Sequence, residues 1–594
     1  MGMGMNSMHR LNERAVIESH FATDDGVELF YRHWPASGTR RGAVVMFHRG
    51  HEHSGRMAHL VDELDLPDFE VFAWDARGHG RSPGERGFSP SFATSVRDVQ
   101  TFVDHLHNAH GVAPQEMVVL AQSVGAVTIA TWAHDYAPQV RALVLASPAF
   151  KVKLYVPFAR PGLRLLQRLR GNFFVNSYVK AKFLTHDPAR QASFAADPLI
   201  TRAISVNILL ALYEAAERVV ADAAAITIPT QVLISGADWV VHDQPQHDFF
   251  DRLGSTVKEK HVLEGFFHDT LGEADRERAI ALVRGFILRQ FDSPAPTLDL
   301  NDADKAGTTF DEAQTLAAPL PEGSFKGWWW KMYRKSLRWA GMVSDGVSLG
   351  HRTGFDSGST LDYVYRNEAG GAGFIGRMVD RNYLDAIGWR GIRQRKLHLE
   401  ELIRDAMARL RADGAAVRVL DIAAGHGRYV LDALMAEGTA PESVLLRDYS
   451  TINVRDGRRL IAEKNLAGIA RFEEGDAFDA ESVAGAQPGT TIGIVSGLYE
   501  LFPSNDLVRA SLGGMARAVE AGGYLIYTGQ PWHPQLEMIA RALTSHRQGE
   551  AWVMRRRTQA EMDQLVREAG FEKIGQRIDE WGIFTVSIAR RKTA

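Results

Sequence analysis

Ser123 stands where an apolar run, 117–121, meets a helical pattern, in Ala121-Gln122-Ser123-Val124-Gly125-Ala126. A strand turning sharply into a helix lifts a serine hydroxyl above a sheet, and small residues two before and two after it let strand and helix approach. Those positions are Ala121 and Gly125. A serine nucleophile also needs a base, and an acid to orient the base. Asp238 follows the apolar run 231–235 and His268 follows 260–263, so serine, acid and imidazole succeed one another along the chain. In such a set Ser123 attacks a carbonyl, His268 takes its proton and returns it to the leaving group, and Asp238 fixes the imidazole tautomer. Backbone N–H groups must hold the oxyanion. Val124 supplies one, and the loop 48–56 supplies the other.

A second set lies in the C-terminal half. The run 417–422 enters Asp421-Ile422-Ala423-Ala424-Gly425-His426-Gly427-Arg428, followed by a helical pattern over 429–435. A glycine-rich turn there lets a cofactor lie against bare backbone and a helix N-terminus. The next run, 443–449, carries Asp448, 21 residues beyond Gly427, and then Tyr449. An acid at that distance bonds ribose hydroxyls. The run 469–474 leads into Gly475-Asp476-Ala477-Phe478, an acid beside an aromatic that suits an adenine pocket. The run 491–496 ends on Ser496 and leads into Gly497-Leu498-Tyr499-Glu500. Tyr499 and Glu500 are acceptor-side candidates, able to orient a nucleophile. Tyr383, Arg390, Arg393 and Arg395 are further candidates for an acceptor pocket. A nicotinamide site is the weaker alternative, because it expects a third glycine where this turn has Val430. Gly371-Ala372-Gly373-Phe374-Ile375-Gly376 matches G-x-G-x-x-G formally but follows no apolar run, and reads as a loop or helix entry that could cover the cofactor site.

These residues must be positioned by sheets. In the first half, short apolar runs alternate with helical patterns, which predicts a mostly parallel sheet covered by helices. Between 148 and 226 the pattern is helical with no clear strand, as in a helical insertion. The stretch 292–323 has prolines and acidic residues and reads as a linker. A helical region follows over 324–410, and a second strand–helix alternation runs over 411–592. The fold class is therefore α/β in both halves, with hydrolase-type residues over 18–291, a cap at about 148–226, and a Rossmann-like domain preceded by a helical extension.

Composition removes other chemistries. The 594 residues include no cysteine, so disulfides, thiolate zinc sites, iron–sulfur clusters and a cysteine nucleophile are excluded. With 68 basic and 72 acidic residues the formal charge is −4, which argues against a nucleic-acid binder. His48, His51 and His53 lack an acidic ligand set at metal spacing and read as a polar loop, so no metal is expected. The first twenty residues have no apolar core of a signal peptide, and Asn6 breaks the myristoylation pattern after Gly2. No run of about 18 apolar residues is present. A cytoplasmic protein is the expectation. Trp328, Trp329, Trp330, Tyr333 and Trp339 interleave with Lys326, Lys331, Arg334, Lys335 and Arg338. The preferred reading is a helix docking the two domains with its tryptophans buried; the alternative is peripheral membrane contact through 325–339.

Residues 18–290 resemble the monoacylglycerol lipase and lysophospholipase branch of α/β hydrolases, of the serine aminopeptidase S33 type. The carriers are Glu52-His53-Ser54-Gly55-Arg56, Asp75-Ala76-Arg77-Gly78-His79-Gly80-Arg81-Ser82, Gly84-Glu85-Arg86-Gly87 and the triad context. The resemblance implies an oxyanion N–H at Gly50, a cap that binds an acyl chain, and hydrolysis of esters of apolar acyl groups. Arg49 stands where the family usually has glycine. The second set resembles class I S-adenosylmethionine-dependent methyltransferases. That resemblance implies S-adenosyl-L-methionine as cofactor, with Asp421 and Gly425 at its methionine end, Asp448 at the ribose and Asp476 at the adenine, and with Ala423, Gly427, Tyr449, Ala477, Phe478 and Ser496 as further cofactor-binding residues. The whole chain resembles bacterial fusions of the two, which implies small-molecule or lipid substrates. The domains are then expected to deacylate and methylate related lipids, or to remove and add one methyl ester. A lipid-binding or scaffold protein with one inactive domain, and a serine acyltransferase, remain as alternatives.

Overall fold

The runs Gly42–Phe47, Met117–Gln122, Ala142–Ala146 and Thr230–Ser235 are buried along their whole length, as parallel strands covered on both faces must be. They form the centre of one of two large sheets in the computed structural model, which describes residues 14–155, 158–177, 179–296, 298–435, 440–547 and 549–593. The N-terminal readings on 1–13 lie outside the described residues. The chain divides into two compact units, 1–298 and 299–594.

In the first unit the strands are β1 (Ile17–Ala22), β2 (Glu28–Trp34), β3 (Gly42–Phe47), β4 (Phe69–Trp74), β5 (Met117–Gln122), β6 (Ala142–Ala146), β7 (Phe174–Asn176), β8 (Ala203–Ser205), β9 (Thr230–Ser235) and β10 (Lys258–Leu263). Eight of them form a sheet in the order β1-β2-β4-β3-β5-β6-β9-β10. It is parallel from β4 onward and antiparallel at β1 and β2. Strand β5 lies between β3 and β6, with Ala121 opposite Phe47 and Gln122 opposite Ala146, so Ser123 leaves the sheet at its middle. The register Leu263–Ser235 brings the loops carrying Asp238 and His268 out at the same carboxyl edge, where open α/β sheets bind ligands. Strands β7 and β8 correct the expectation of a strand-free cap: they form a short antiparallel hairpin, in runs of three residues too brief to show alternation.

The second unit contains β11 (Arg418–Asp421), β12 (Ser443–Asp448), β13 (Ala470–Glu474), β14 (Thr490–Val495), β15 (Val519–Gly529), β16 (Phe571–Ile578) and β17 (Thr585–Arg591). Their order is β13-β12-β11-β14-β15-β17-β16, parallel except for the last two pairings. The order reverses between β11 and β14, the switch point where ligands bind. The helix Ile387–Ala412 packs Leu399, Ile403, Ala406 and Met407 onto this sheet.

The stretch expected as a linker is largely built into the second unit. It holds the helix Thr308–Ala317. The guanidinium of Arg555 donates to the Ala303 carbonyl at 3.3 Å and to Thr309 Oγ1 at 3.1 Å, while also pairing with Glu561. Asp302 and Asp304 lie in the turn that presents Ala303 to this clamp. The helix Phe325–Ala340 contains no buried residue, and Trp328 and Trp339 are 55% and 61% exposed. This overturns the expectation of buried tryptophans. Two glycines of 371–376 are packing positions: a Cβ at Gly371 or Gly376 would lie 2.3 or 2.4 Å from the Val343 carbonyl, while Gly373 faces open space. None of them lines the cofactor-type cavity described below.

Candidate functional site

The turn after β5 holds Ser123 at φ 57° and ψ −117°, a conformation that costs a non-glycine residue of the order of 1–3 kcal/mol. The turn permits only glycine two residues on, since a Cβ at Gly125 would lie 2.4 Å from the His48 carbonyl. Ser123 Oγ is 2.7 Å from His268 Nε2, and His268 Nδ1 is 2.7 Å from Asp238 Oδ2. The other oxygen of Asp238 accepts from the N–H groups of Val240 and Val241 at 2.7 and 3.0 Å. Burial opposes ionisation of this carboxyl, but His268 and the two N–H donors outweigh it and hold the Asp238 pKa below its ordinary value. Asp238 is thus ionised at neutral pH and presents one oxygen to the imidazole.

Gly50 approaches Val124 closely, and a Cβ on it would lie 3.1 Å from Val124 Cγ2. Both residues line a cavity of about 730 Å³ that also contains Ser123 and His268. Its walls are mostly apolar and come from the cap: Leu154, Leu163, Leu166, Val175, Leu209 and Leu212. Arg49, the departure from the family pattern, is buried in an ion cluster. It pairs with Glu52 and lies 3.5 Å from Asp269, which also accepts from Arg190 at 2.5 Å and from Gln122 Nε2 at 3.1 Å. One carboxylate therefore ties the Arg49 loop to the residue before the nucleophile and the residue after His268. Sequence reasoning missed Gln122 and Asp269, for which the only signal was their adjacency to Ser123 and His268. His48 is held by the Arg49 carbonyl and the Ala76 N–H, His53 by Asp197 and the Gly55 N–H, and His51 lines the cavity. Burial drives the His51 pKa down to about 4.

In the second unit, Gly425 and Gly427 have φ of 57° and 75°. Asp448 Oδ2 accepts from the Gly425 N–H at 3.0 Å, and its Oδ1 accepts from Ser450 and Asn453, so this acid shapes the turn. A cavity of about 670 Å³ brings together Ala423, Gly425, Gly427, Asp448, Tyr449, Asp476, Ala477, Phe478 and Ser496. Asp421 lies beneath it. Its oxygens accept from Tyr429 Oη at 2.5 Å and the Ala423 N–H at 3.2 Å, and burial raises its pKa to about 7. It braces the turn from below and does not line the cavity, contrary to its placement among the cofactor contacts. Ser496 Oγ is buried with no hydrogen-bond partner among the described residues.

A smaller cavity, of about 220 Å³, shares Asp356, Leu361, Arg395, Gly497 and Leu501 with the first. Glu500 lines it, as do Tyr383 and Arg395. Glu500 Oε1 accepts from Thr528 Oγ1 at 2.7 Å and lies 3.6 Å from Arg395 Nη1. Tyr499 does not line it: its hydroxyl bonds Ser511 Oγ at 2.9 Å inside the core. Consecutive residues leave that short turn on opposite sides, so only one of the two candidates can face a ligand. Arg390 lies over the ring of Trp581 and Arg393 donates to the Leu384 carbonyl, so both act in packing. Arg557, unforeseen in the run Arg555-Arg556-Arg557, donates to the carbonyls of Tyr499, Phe502, Pro503 and Ser504 and thereby fixes the loop that carries Glu500.

Comparisons with known proteins agree with both halves. The family model described as "Putative methyltransferase" matches residues 283–591, and that of "Serine aminopeptidase, S33" matches 38–275. The chain is 58% identical over 584 residues to the uncharacterized protein YnbC of Escherichia coli (strain K12), covering 98% of this chain and 99% of that one. It is 28% identical over 273 residues to the monoacylglycerol lipase of Mycolicibacterium smegmatis, covering 46% of this chain and 96% of that one. It is 30% identical over 256 residues to human monoglyceride lipase, covering 42% of this chain and 82% of that one. The chain therefore belongs to the "Putative methyltransferase" family, and joins that domain to an N-terminal α/β-hydrolase domain of the monoglyceride lipase type.

Proposed function

We propose that the first unit hydrolyses esters of apolar acyl groups, monoacylglycerol or lysophospholipid among them, and that the second transfers a methyl group from S-adenosyl-L-methionine. The observation that carries the first reading is the unbroken chain Ser123–His268–Asp238 at the floor of an apolar cavity. Ser123 attacks the acyl carbonyl as His268 Nε2 takes its proton. The N–H groups of Gly50 and Val124 hold the oxyanion. His268 then protonates the leaving alcohol, and water repeats the sequence to release the acid.

For the second unit, the glycine turn, the Asp448 carboxylate, the Phe478 and Tyr449 rings and the orphaned Ser496 hydroxyl fit an adenosyl amino acid. When bound, the cofactor supplies an electrophilic methyl group. The chain's own part is to hold it along Gly425–Gly427, to place its ribose and adenine against Asp448 and Asp476, and to close Tyr429 and Asp421 beneath the turn. The exposed aromatic and basic residues of the helix Phe325–Ala340 support peripheral contact with an anionic membrane. Among the described residues no helix is long and apolar enough to cross one.

A fluorophosphonate probe tests the hydrolase and calorimetry with S-adenosylmethionine tests the transferase. Labelling that Ser123→Ala removes, together with binding of one cofactor, is the expected result. A folded chain that shows neither is a binding protein.

A further inference from the structure

The smaller cavity of the second unit has a hydrogen-bonding pattern that selects its ligand. Tyr383 Oη has no hydrogen-bond partner among the described residues, and neither have four atoms on more deeply buried lining residues: Glu500 Oε2, Arg395 Nε, Gln530 Nε2 and Trp552 Nε1. Each of these four residues is less than a tenth exposed. Leaving such a group buried and unpaired is costly, so several around one cavity describe a ligand. An ionised carboxylate only accepts, and an indole N–H only donates. The ligand must therefore offer a donor to Glu500 and acceptor atoms to Trp552, Gln530 and Arg395. Leu337, Val347, Ile392, Leu543, Met554 and Phe584 make much of the remaining wall apolar, and Asp356, Asn382, Tyr383, His533 and Gln535 add polar groups to it. Gly497 and Arg395 line this cavity and the cofactor-type cavity alike.

From this geometry we infer that the methyl acceptor is a compact, mostly apolar alcohol, phenol or amine whose X–H donates to Glu500, and that a carboxylate is rejected. The inference rests on the transferase reading above. Glu500 and Asp356 already line the cavity, so an acid would bring a third carboxyl group into it, and Arg395, whose Nη1 lies 3.6 Å from Glu500 Oε1, has only its unpaired Nε to set against that group. In the transfer, the carbon–X bond forms as the donor's sulfur–carbon bond breaks with its electron pair left on sulfur. The X–H proton passes to Glu500 Oε2 and on to solvent. This argues against the coupling in which the first unit removes a methyl ester that the second unit makes, because that acceptor would be an acid.

The test is calorimetry on the full chain saturated with S-adenosylhomocysteine, which cannot transfer a methyl group, using 4-butylphenol, 4-butylaniline and 4-butylbenzoate as probes. The phenol and aniline should bind about tenfold or more tighter than the benzoate. Glu500→Gln should narrow that ratio to within about threefold, and Trp552→Phe should weaken the phenol about fivefold while leaving the S-adenosylhomocysteine affinity intact. Benzoate binding as tightly as phenol, no binding of any probe, or an unchanged ratio in Glu500→Gln would overturn the inference while the cofactor reading stands. Absence of S-adenosylhomocysteine binding in the wild type would instead overturn both.

Discussion

The triad of the first unit and the polar set of the second differ in where their hydrogen bonds end. Every polar atom of Ser123, His268 and Asp238 that takes part in the relay meets another atom of the chain. In the second unit Ser496, Glu500, Gln530 and Trp552 each keep an atom that meets none among the described residues. The reactive group of the first site is a side chain, so the site can be completed by folding alone. In the second, on the reading proposed above, the electrophile and the nucleophile are both brought in by ligands, and the chain supplies the mould. An unpaired buried polar group is costly in the first kind of site and informative in the second.

Mutations should separate the two kinds. The largest effect is expected for Ser123→Ala, which should lower ester hydrolysis by about 10⁵–10⁶ and abolish fluorophosphonate labelling. Cofactor affinity read by calorimetry should not move, and a parallel loss would show that the sites are not separate. Asp238→Asn should cost about 10⁴ in kcat with the fold intact, because the amide presents the wrong tautomer to His268. Steady-state rates with a chromogenic ester check this, and a loss below tenfold would remove Asp238 from its role. In the second unit the backbone should matter more than any single functional group. Gly427→Ala places a Cβ 2.4 Å from Leu446 Cδ1 at a φ of 75° and should weaken S-adenosylmethionine binding about 10–100-fold while hydrolysis continues.

The smallest effect concerns Asp421 and shows up in stability. Its folded pKa of about 7 lies above the ordinary value, so between about pH 4 and pH 7 the folded state holds a proton that the unfolded state releases. Stability from this group is therefore present at low pH and is lost as pH rises toward 7. Asp421→Asn does not titrate, and its melting temperature relative to wild type should climb by a few degrees from pH 5 to pH 8. A difference that stays constant across that range would show that Asp421 is ionised throughout.

Much of the first site could be read from the chain because its members stand at the ends of apolar runs, where strands stop and loops begin. Ser123, Asp238 and His268 fall together for that reason. The edge strands β1 and β16 escaped notice because Ile17–Ala22 and Phe571–Ile578 are half exposed and lack a continuous apolar run. The glycine turn and its acids were legible, but the second cavity was not. Gln530, His533 and Trp552 come from segments with no motif of their own and meet only through tertiary packing. Periodicity could not decide which of Tyr499 and Glu500 faces a ligand, since a single turn of 3-10 helix has no face long enough to show. The aromatic helix illustrates the same limit: tryptophan content alone predicts burial, whereas here basic neighbours and exposure go together.

The clamp of Arg555 on Ala303 and Thr309 has a consequence for where the chain can be divided. A cut placed where the composition changes, near residue 324, would strip the guanidinium of two partners and leave Glu561, with which it pairs, in a buried site newly opened to water. A cut near residue 298 keeps the strap with the unit it fastens. The boundary that matters to a separated C-terminal piece is thus set by one buried arginine rather than by the proline-rich stretch that looks like a seam.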